Sequence, residues 1–305
     1  MRKPEEVVAV VASDLHFSHR APVARSAEPD WYAAMERSFS QVTSLCRKLD
    51  VPLVIAGDLF DKWNPPPQLI EFVAAQLIQL EHVYAIPGQH DLPNHNYELM
   101  HKSGYGVLRT AGIITDMHPG VPYKIGDFSF IGFPWGYEIT KPHKGSGMPM
   151  VAIAHRYIWT EGHTYVGADP RLSVTQSSIL KHYTASFFGD NHKGFLWIRG
   201  KCSVLNCGGF MRRKSDEKSY QPSVGLLYTD GTVKRHPILT TEDVFHRNPE
   251  LDKIVPEIDM DEFISEMNRL GDVAINFPEQ ILRYIDEHSL EPNVKEALQH
   301  LLLPF

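Results

Sequence analysis

The chain is short of several things, and each shortage excludes a class. It has three cysteines, Cys46, Cys202 and Cys207, in 305 residues. So sparse and odd a set does not build a disulfide framework. Cys202 and Cys207 have no second pair nearby to complete a zinc site, and both are read as small strand residues. No apolar run approaches the roughly 18 residues that a membrane span requires. The opening residues MRKPEEVVAVVASD begin basic, but their apolar stretch is short, follows two glutamates and ends in a charged motif. That is not a signal peptide, and a cytoplasmic location is expected. Low-complexity tracts and internal repeats are lacking too. So is any excess of positive charge: 30 Lys and Arg face 37 Asp and Glu, a net charge of −7. The whole chain is therefore not a basic nucleic-acid binder, although bound dications would cancel acidity where phosphates arrive.

What is present is ordinary in bulk and unusual in arrangement. With 43% hydrophobic and 22% charged residues, the composition is that of a globular protein. Five short apolar runs each end in polar residues that ligate metals. Val7–Ser13 leads into Asp14 and His16; Pro52–Ala56 into Gly57-Asp58-Leu59-Phe60-Asp61; His82–Ile86 into Gly88-Gln89-His90-Asp91. Met150–Ala154 leads into His155, and Ala185–Phe188 into Gly189-Asp190-Asn191-His192. Ligands of open α/β sheets collect beyond the carboxyl ends of the strands. Buried strands would thus bring all five clusters to one place rich in carboxylate and imidazole.

Between the runs the periodicity turns helical. Trp31–Leu49 carries Met35, Phe39, Val42 and Cys46 on one face, and Gln68–Leu80 follows three prolines. Residues 96–112 read as helix with a glycine break, 121–134 as a hairpin, and Ser173–His182 as a short helix. Four antiparallel strands are expected over Phe195–Ile198, Ser203–Leu205, Val224–Tyr228 and Thr232–His236, the last two joined at Asp230-Gly231. Residues 1–240 form the expected catalytic domain. Residues 241–305 form a linker followed by amphipathic helices from Asp259, too few for an independent core and so expected to pack on the main domain or on a partner.

Hydrolysis of a phosphodiester needs help at both ends, because the ester is anionic and water is a weak nucleophile. Two metals about 4 Å apart supply a hydroxide and neutralise the phosphate oxygens. Asp14 and His16, i and i+2 at a strand end, point to the same side and can share one metal, completed by His192. Asp58 is the best bridging carboxylate, and Gln89, His155 and Asp190 complete the second metal. His90 is the candidate general acid and Asp91 the residue to orient it. Phe17–Asp30, with His19, Arg20 and Arg25, reads either as a groove edge or as an ordinary loop. Tyr157, Trp159 and His163 read either as stacking surfaces for a nucleotide or as core.

The order Asp-x-His, Gly-Asp-x-x-Asp, Gly-x-His-Asp, His, Gly-x-x-His resembles that of the calcineurin-like metallophosphoesterase superfamily across roughly residues 7–192. The resemblance implies an α/β (α+β) fold, a two-sheet β-sandwich flanked by helices, with a dinuclear site at the strand ends. Two positions depart from the family pattern: Gln89 stands where Asn is usual, and Asp190 where the first His of the last motif is usual. Both fall on the second metal and make its shell harder, which favours Mn²⁺, with Mg²⁺ admissible, over Zn²⁺. Gly57-Asp58-Leu59-Phe60-Asp61-Lys62 and the stretch Asn206–Arg213, with Glu217 and the following strands, look like those of SbcD-like and phage recombination exonuclease subunits. That narrower resemblance implies DNA as substrate and a coiled-coil SbcC-like ATPase bound through the C-terminal helices. It also implies a homodimer through helices such as Trp31–Leu49 and Gln68–Leu80. A small-substrate phosphodiesterase or phosphatase, and a non-catalytic scaffold for an ATPase, are the competing readings.

Overall fold

A computed structural model describes residues 6–142, 147–165, 167–200 and 202–246. These lie in the first of two compact units, Met1–Ile254. The helices expected from Asp259 onward, and with them the C-terminal appendage, lie outside the described residues. In chain order the elements are β1 (Val7–Ala12), α1 (Trp31–Leu49), β2 (Leu53–Ala56), α2 (Pro67–Leu77), β3 (Val83–Ile86) and α3 (Gly104–Thr110). They continue with β4 (Thr115–Asp116), β5 (Pro122–Ile125), β6 (Phe128–Phe133), β7 (Met150–His155) and β8 (Ala185–Gly189). The last are β9 (Phe195–Arg199), β10 (Cys202–Asn206), β11 (Ser223–Tyr228) and β12 (Val233–Pro237).

The strands form two mixed six-stranded sheets, in the orders β12-β11-β1-β2-β3-β4 and β5-β6-β7-β8-β10-β9. β1, β2 and β3 run parallel, as do β6, β7 and β8. The unbroken apolar runs follow from burial on both faces. Along β2, Val54 and Ala56 face the second sheet, while Leu53 and Ile55 face the helices. Along β7, Val151 and Ile153 lie in the sandwich, while Ala152 and Ala154 pack under Ile158, Leu180 and Tyr183. A register shift in β1 between Val7 and Ala9 places Val8 and Ala9 both in the sandwich.

The helices cover the first sheet. α1 starts where the Asp30 side chain accepts a hydrogen bond from the Ala33 amide and stops at Asp50, in the left-handed conformation at φ 55°. Its stripe Met35, Phe39, Val42 and Cys46 is fully buried. One such side chain contributes about 1.5–3 kcal/mol by leaving water. α2 begins with Pro67 in its first turn, where the missing N–H costs nothing, and buries Leu69, Val73 and Leu77. The apolar faces of both helices, which suit either a dimer seam or packing inside one chain, pack within the chain.

Three local expectations change. Ser173–His182 is not a helix: Ser173 Oγ hydrogen-bonds to Thr175, and only Leu180–His182 makes a 3₁₀ turn. Local hydroxyl bonds of this kind compete with helical ones. The four late strands do form two antiparallel pairs, but the pairs part company. β9–β10 joins the second sheet, with β10 parallel to β8, whereas β11–β12 joins the first beside β1. Finally, 241–246 is docked rather than a free linker. The Asp243 carboxylate bonds Arg25 and Arg212, and the His246 amide donates to the Ala24 carbonyl at 2.7 Å.

At Gly132 the chain packs too closely for a side chain. A Cβ on Gly132 of β6 would lie 2.5 Å from the Met117 carbonyl oxygen, a backbone atom that cannot swing aside. Gly132→Ala is expected to destabilise the fold by about 1–3 kcal/mol, read as a lower urea midpoint at unchanged slope.

Candidate metal centre

The parallel pairing of β1 with β2 continues past the strands. The Asp14 amide donates to the Gly57 carbonyl at 3.1 Å, the His16 amide to Asp58 at 3.0 Å and the Phe17 amide to Leu59 at 3.0 Å. The first two motifs are thereby zipped side by side. The motif backbones turn sharply: φ is 50° at Asp14, 45° at His16, 53° at Asp58 and 83° at Asp190. Non-glycine residues rarely adopt this region, and when they do it is often at functional sites. Gly57, at φ 90°, also lacks the Cβ that would fall 2.1 Å from His155 Nδ1. A Cβ on Gly88 would fall 2.0 Å from Asp58 Oδ1. Both glycines make room for a neighbouring motif's side chain.

The side chains converge in three overlapping groups: Asp14, His16 and His192; His16, Asp58 and His90; Asp14, Asp58 and His155. Asp58 Oδ2 lies 3.6 Å from His16 Nε2 and 3.2 Å from His155 Nε2. Its other oxygen accepts from the His90 amide at 3.1 Å. On the first side, His16 Nε2 and His192 Nε2 are 3.1 Å apart, and His192 Nε2 is 3.7 Å from Asp14 Oδ1. Gln89 and Asp190 meet each other: the Gln89 amide donates to Asp190 Oδ1 at 3.0 Å. Asp190 also reaches the first side through its own amide, which donates to Asp14 Oδ1 at 2.9 Å. Asp14, His16, Asp58 and His155 are buried, while Gln89, His90, Asp190 and His192 sit part-exposed on the rim.

Residues 8–193 match the family model of the calcineurin-like phosphoesterases. The chain belongs to that family. As a calcineurin-like phosphoesterase it is placed among phosphoester hydrolases that use divalent metals. No curated protein sequence matches it. Among solved structures it is similar to a dimetal phosphatase from Danio rerio (11% identity, TM-score 0.48, covering 79% of this chain and 99% of that one). It is also similar to a metallophosphoesterase from Sphaerobacter thermophilus (13% identity, TM-score 0.42, 82% and 94% covered). A third is an archaeal phosphodiesterase (12% identity, TM-score 0.38, 75% and 99% covered). No helix among the described residues is long and apolar enough to cross a membrane.

The residues of this calcineurin-like phosphoesterase fit divalent cations on three counts. First, Asp58 Oδ2, His155 Nε2 and Gln89 Oε1 are buried without a hydrogen-bond partner, where buried polar atoms normally have one. Second, the His155 ring is committed. Its Nδ1–H donates to the Ala56 carbonyl at 2.7 Å, so Nε2 presents a lone pair to the Asp58 carboxylate. Only a proton or a cation reconciles the two. With no cation, burial opposes the charged ring, but Asp58 overrides it and pushes the His155 pKa up to about 10. Third, burial pushes Asp14 up to about 7, and the nearby Asp58 adds to it. Burial holds His16 and His192 below the ordinary imidazole value, in the neutral form that ligates.

Asp91 does different work from that expected. Its carboxylate accepts from the amides of Leu59, Phe60 and Gly88 at 3.1, 2.9 and 3.0 Å. It fixes the second motif loop rather than the His90 ring. The His90 ring is oriented by the Asp61 carbonyl, to which Nδ1–H donates at 3.0 Å. Asp61, the last residue of the second motif, thus has a place in the site that the motif alone does not reveal. So has Asn191: its buried amide donates to the Ile158 and His163 carbonyls and ties the loop after β7 to the last motif. Of the expected stacking residues, the Trp159 indole donates to the Asp169 carbonyl and His163 packs on Phe195. Arg25, a candidate for the groove edge, is buried, while His19 meets the Tyr32 hydroxyl at 2.9 Å.

These shifts set a pH dependence for the metal-free chain. Asp14 titrates near 7 when folded and near 3.8 when unfolded, so folding takes up a proton between these values. Its contribution is full below the unfolded value and is lost as pH rises through about 7. In EDTA, Asp14→Asn is expected to match the parent at the acid end and to be more stable than the parent above pH ~7. Adding Mn²⁺ should reverse the order, raising the parent's Tm and leaving the variant's nearly unchanged. Thermal melts across this pH range check both arms.

Proposed function

We propose that this calcineurin-like phosphoesterase is a metal-dependent phosphodiesterase that cleaves DNA. The observation that carries the phosphodiesterase reading is the set of buried, unpartnered donor atoms, Asp58 Oδ2, His155 Nε2 and Gln89 Oε1, converging under a part-exposed rim. Two divalent cations bound there would lower the pKa of water and neutralise charge on the phosphate oxygens. Asp14, His16 and His192 would hold the first. Gln89 and His155 would hold the second, with Asp58 shared and Asp190 braced against Gln89. The carboxamide and carboxylate in this second shell favour Mn²⁺ or Mg²⁺ over Zn²⁺.

The protein's own groups divide the remaining tasks. His90 stands at the rim with Nδ1–H fixed on the Asp61 carbonyl, so its Nε2 is the atom that passes a proton to the leaving oxygen. Asp91 holds the Gly57–Phe60 loop, and with it the position of Asp58. The DNA reading rests on the basic residues beside the site. Lys193 follows His192, and its ammonium lies 4.5 Å over the Tyr165 ring; exposed Lys214 follows the Gly208-Gly209 turn. A polyanion suits that border better than a small neutral alcohol ester does. A coiled-coil ATPase docking on residues 259–303, assembly as a homodimer and a cytoplasmic setting complete the proposal. The buried free thiols Cys46, Cys202 and Cys207 agree with a reducing compartment.

End-labelled linear DNA incubated with the full chain and Mn²⁺ is the test. Cleavage is expected, weakening as salt rises. His90→Ala should retain bound metal and lose about 10²–10⁴-fold in kcat. Asp58→Ala should lose the metal itself, read by elemental analysis after dialysis. Hydrolysis of a nitrophenyl phosphodiester without any DNA cleavage would move the assignment to small substrates. Inactivity on both, with one ion or none per chain, would leave a scaffold.

A further inference from the structure

Behind the metal centre stands a second row of charged groups, outside the candidate ligand set. The Asp61 carboxylate, on the same loop as Asp58, meets the Arg213 guanidinium in a short ion pair. The Asp61 oxygen that faces Arg213 also lies 3.5 Å from His16 Nδ1, a charge contact on a buried nitrogen that has no hydrogen bond. His16 Nε2 points the other way, toward Asp58 and His192. A ligating histidine commonly has this form, one nitrogen for the metal and the other facing a carboxylate that fixes its tautomer and plane. The Asp61 carbonyl meanwhile takes the Nδ1–H of His90. One residue thus faces the outer nitrogen of a candidate ligand and that of the candidate acid.

Asp61 is held on two sides. Its amide donates to the Phe17 carbonyl at 3.0 Å, and its carboxylate depends on Arg213. Arg213 is placed with unusual thoroughness. The Glu217 carboxylate accepts from the Arg213 and Lys214 amides at 2.6 and 3.0 Å and bends the chain there. The preceding carbonyl, that of Arg212, accepts from the buried Arg25 at 2.8 Å. Upstream, the Gly209 and Phe210 amides donate to the carbonyls of His192 and Asp14. Arg213 is therefore anchored to the last motif, the first motif and the docked segment near Asp243 at once.

We propose that Arg213 is a positioning residue: by clamping Asp61 it sets the His16 ring for metal binding and the His90 ring for proton transfer. The inference rests on the metal-centre reading above but not on any substrate. Its geometry explains why a guanidinium serves there. Arg213 reaches Asp61 through Nη1, on the same carboxylate oxygen that faces His16, and its fixed guanidinium geometry directs that contact where a flexible lysine ammonium does so less well.

The test is Mn²⁺ titration of the full-length chain followed by electron paramagnetic resonance, with imidazole ¹⁵N spectra of the metal-free protein. Arg213→Gln is expected to weaken Mn²⁺ binding about 10–100-fold, as loss of an outer partner of a metal ligand does. It should also shift the His16 Nδ1–H signal. Arg213→Lys should recover part of the affinity. Asp61→Asn with Arg213→Gln should bind no more weakly than Asp61→Asn alone, since Arg213 acts through Asp61. Unchanged affinity and an unmoved His16 signal in a folded Arg213→Gln protein would overturn the proposal. So would losses that add in the double variant, the mark of a general structural role. A parent chain that binds Mn²⁺ tightly yet cleaves nothing would end the phosphodiesterase reading and leave the clamp standing. A parent that binds no divalent cation would end the metal reading, and the clamp with it.

Discussion

Everything in this site hangs on the registration of two loops by main-chain hydrogen bonds. The β1–β2 ladder runs on for several residues after both strands have ended, through the amides of Asp14, His16 and Phe17. That extension puts Asp14, His16 and Asp58 within reach of one another, while Leu15, Phe17, Leu59 and Phe60 anchor the two loops in the core. Asp91 reinforces it from the third motif, spending its carboxylate on the amides of the same loop. A ligand cage built from backbone bonds is stiff, and stiffness is what a cation with a demanding coordination geometry requires.

The same convergence concentrates charge. Asp14, Asp58 and Asp91 are buried close together, and Asp190 is near. Each responds to the others: Asp14 and Asp91 are driven up to about 7, first by burial and then by Asp58. Burial acts on Asp58 in the same sense, but the imidazoles of His155 and His90 hold it below the carboxylate range. Such a cluster is poised between taking up protons and taking up cations, which is why metal binding and proton release are linked here. Farther out, Asp61 and Arg213 carry opposite charges and act on His16 in opposite senses.

Much of the fold was legible because burial on both faces writes a strand as an unbroken apolar run. β1, β2, β3, β7 and β8 lie where those runs predict, and α1 spans the residues its periodicity marks. The clustering of candidate ligands was legible for a related reason: carboxylates and imidazoles recur at the ends of those runs. What stayed hidden depends on contacts far apart in sequence. Nothing local tells that β10 pairs with β8 while β11 crosses to β1, or that 241–246 returns to Arg25. Adjacency in sequence ties Asp91 to His90, yet two of its three partners lie some thirty residues away on the second motif loop. The Arg213–Asp61 contact, spanning 152 positions, has no local signal at all.

The left-handed turns at Asp14 and Asp58 limit the chemistry that drift can try at this centre. In that conformation short Asp, Asn and Gly side chains are accommodated far more readily than long or branched ones. A glutamate, equally anionic and often an equally good ligand, would meet backbone strain and carry its carboxylate past the mark. The available exchanges are Asp for Asn or Gly, each of which removes a negative charge. At these two positions the backbone, before any metal arrives, already favours aspartate among the anionic ligands.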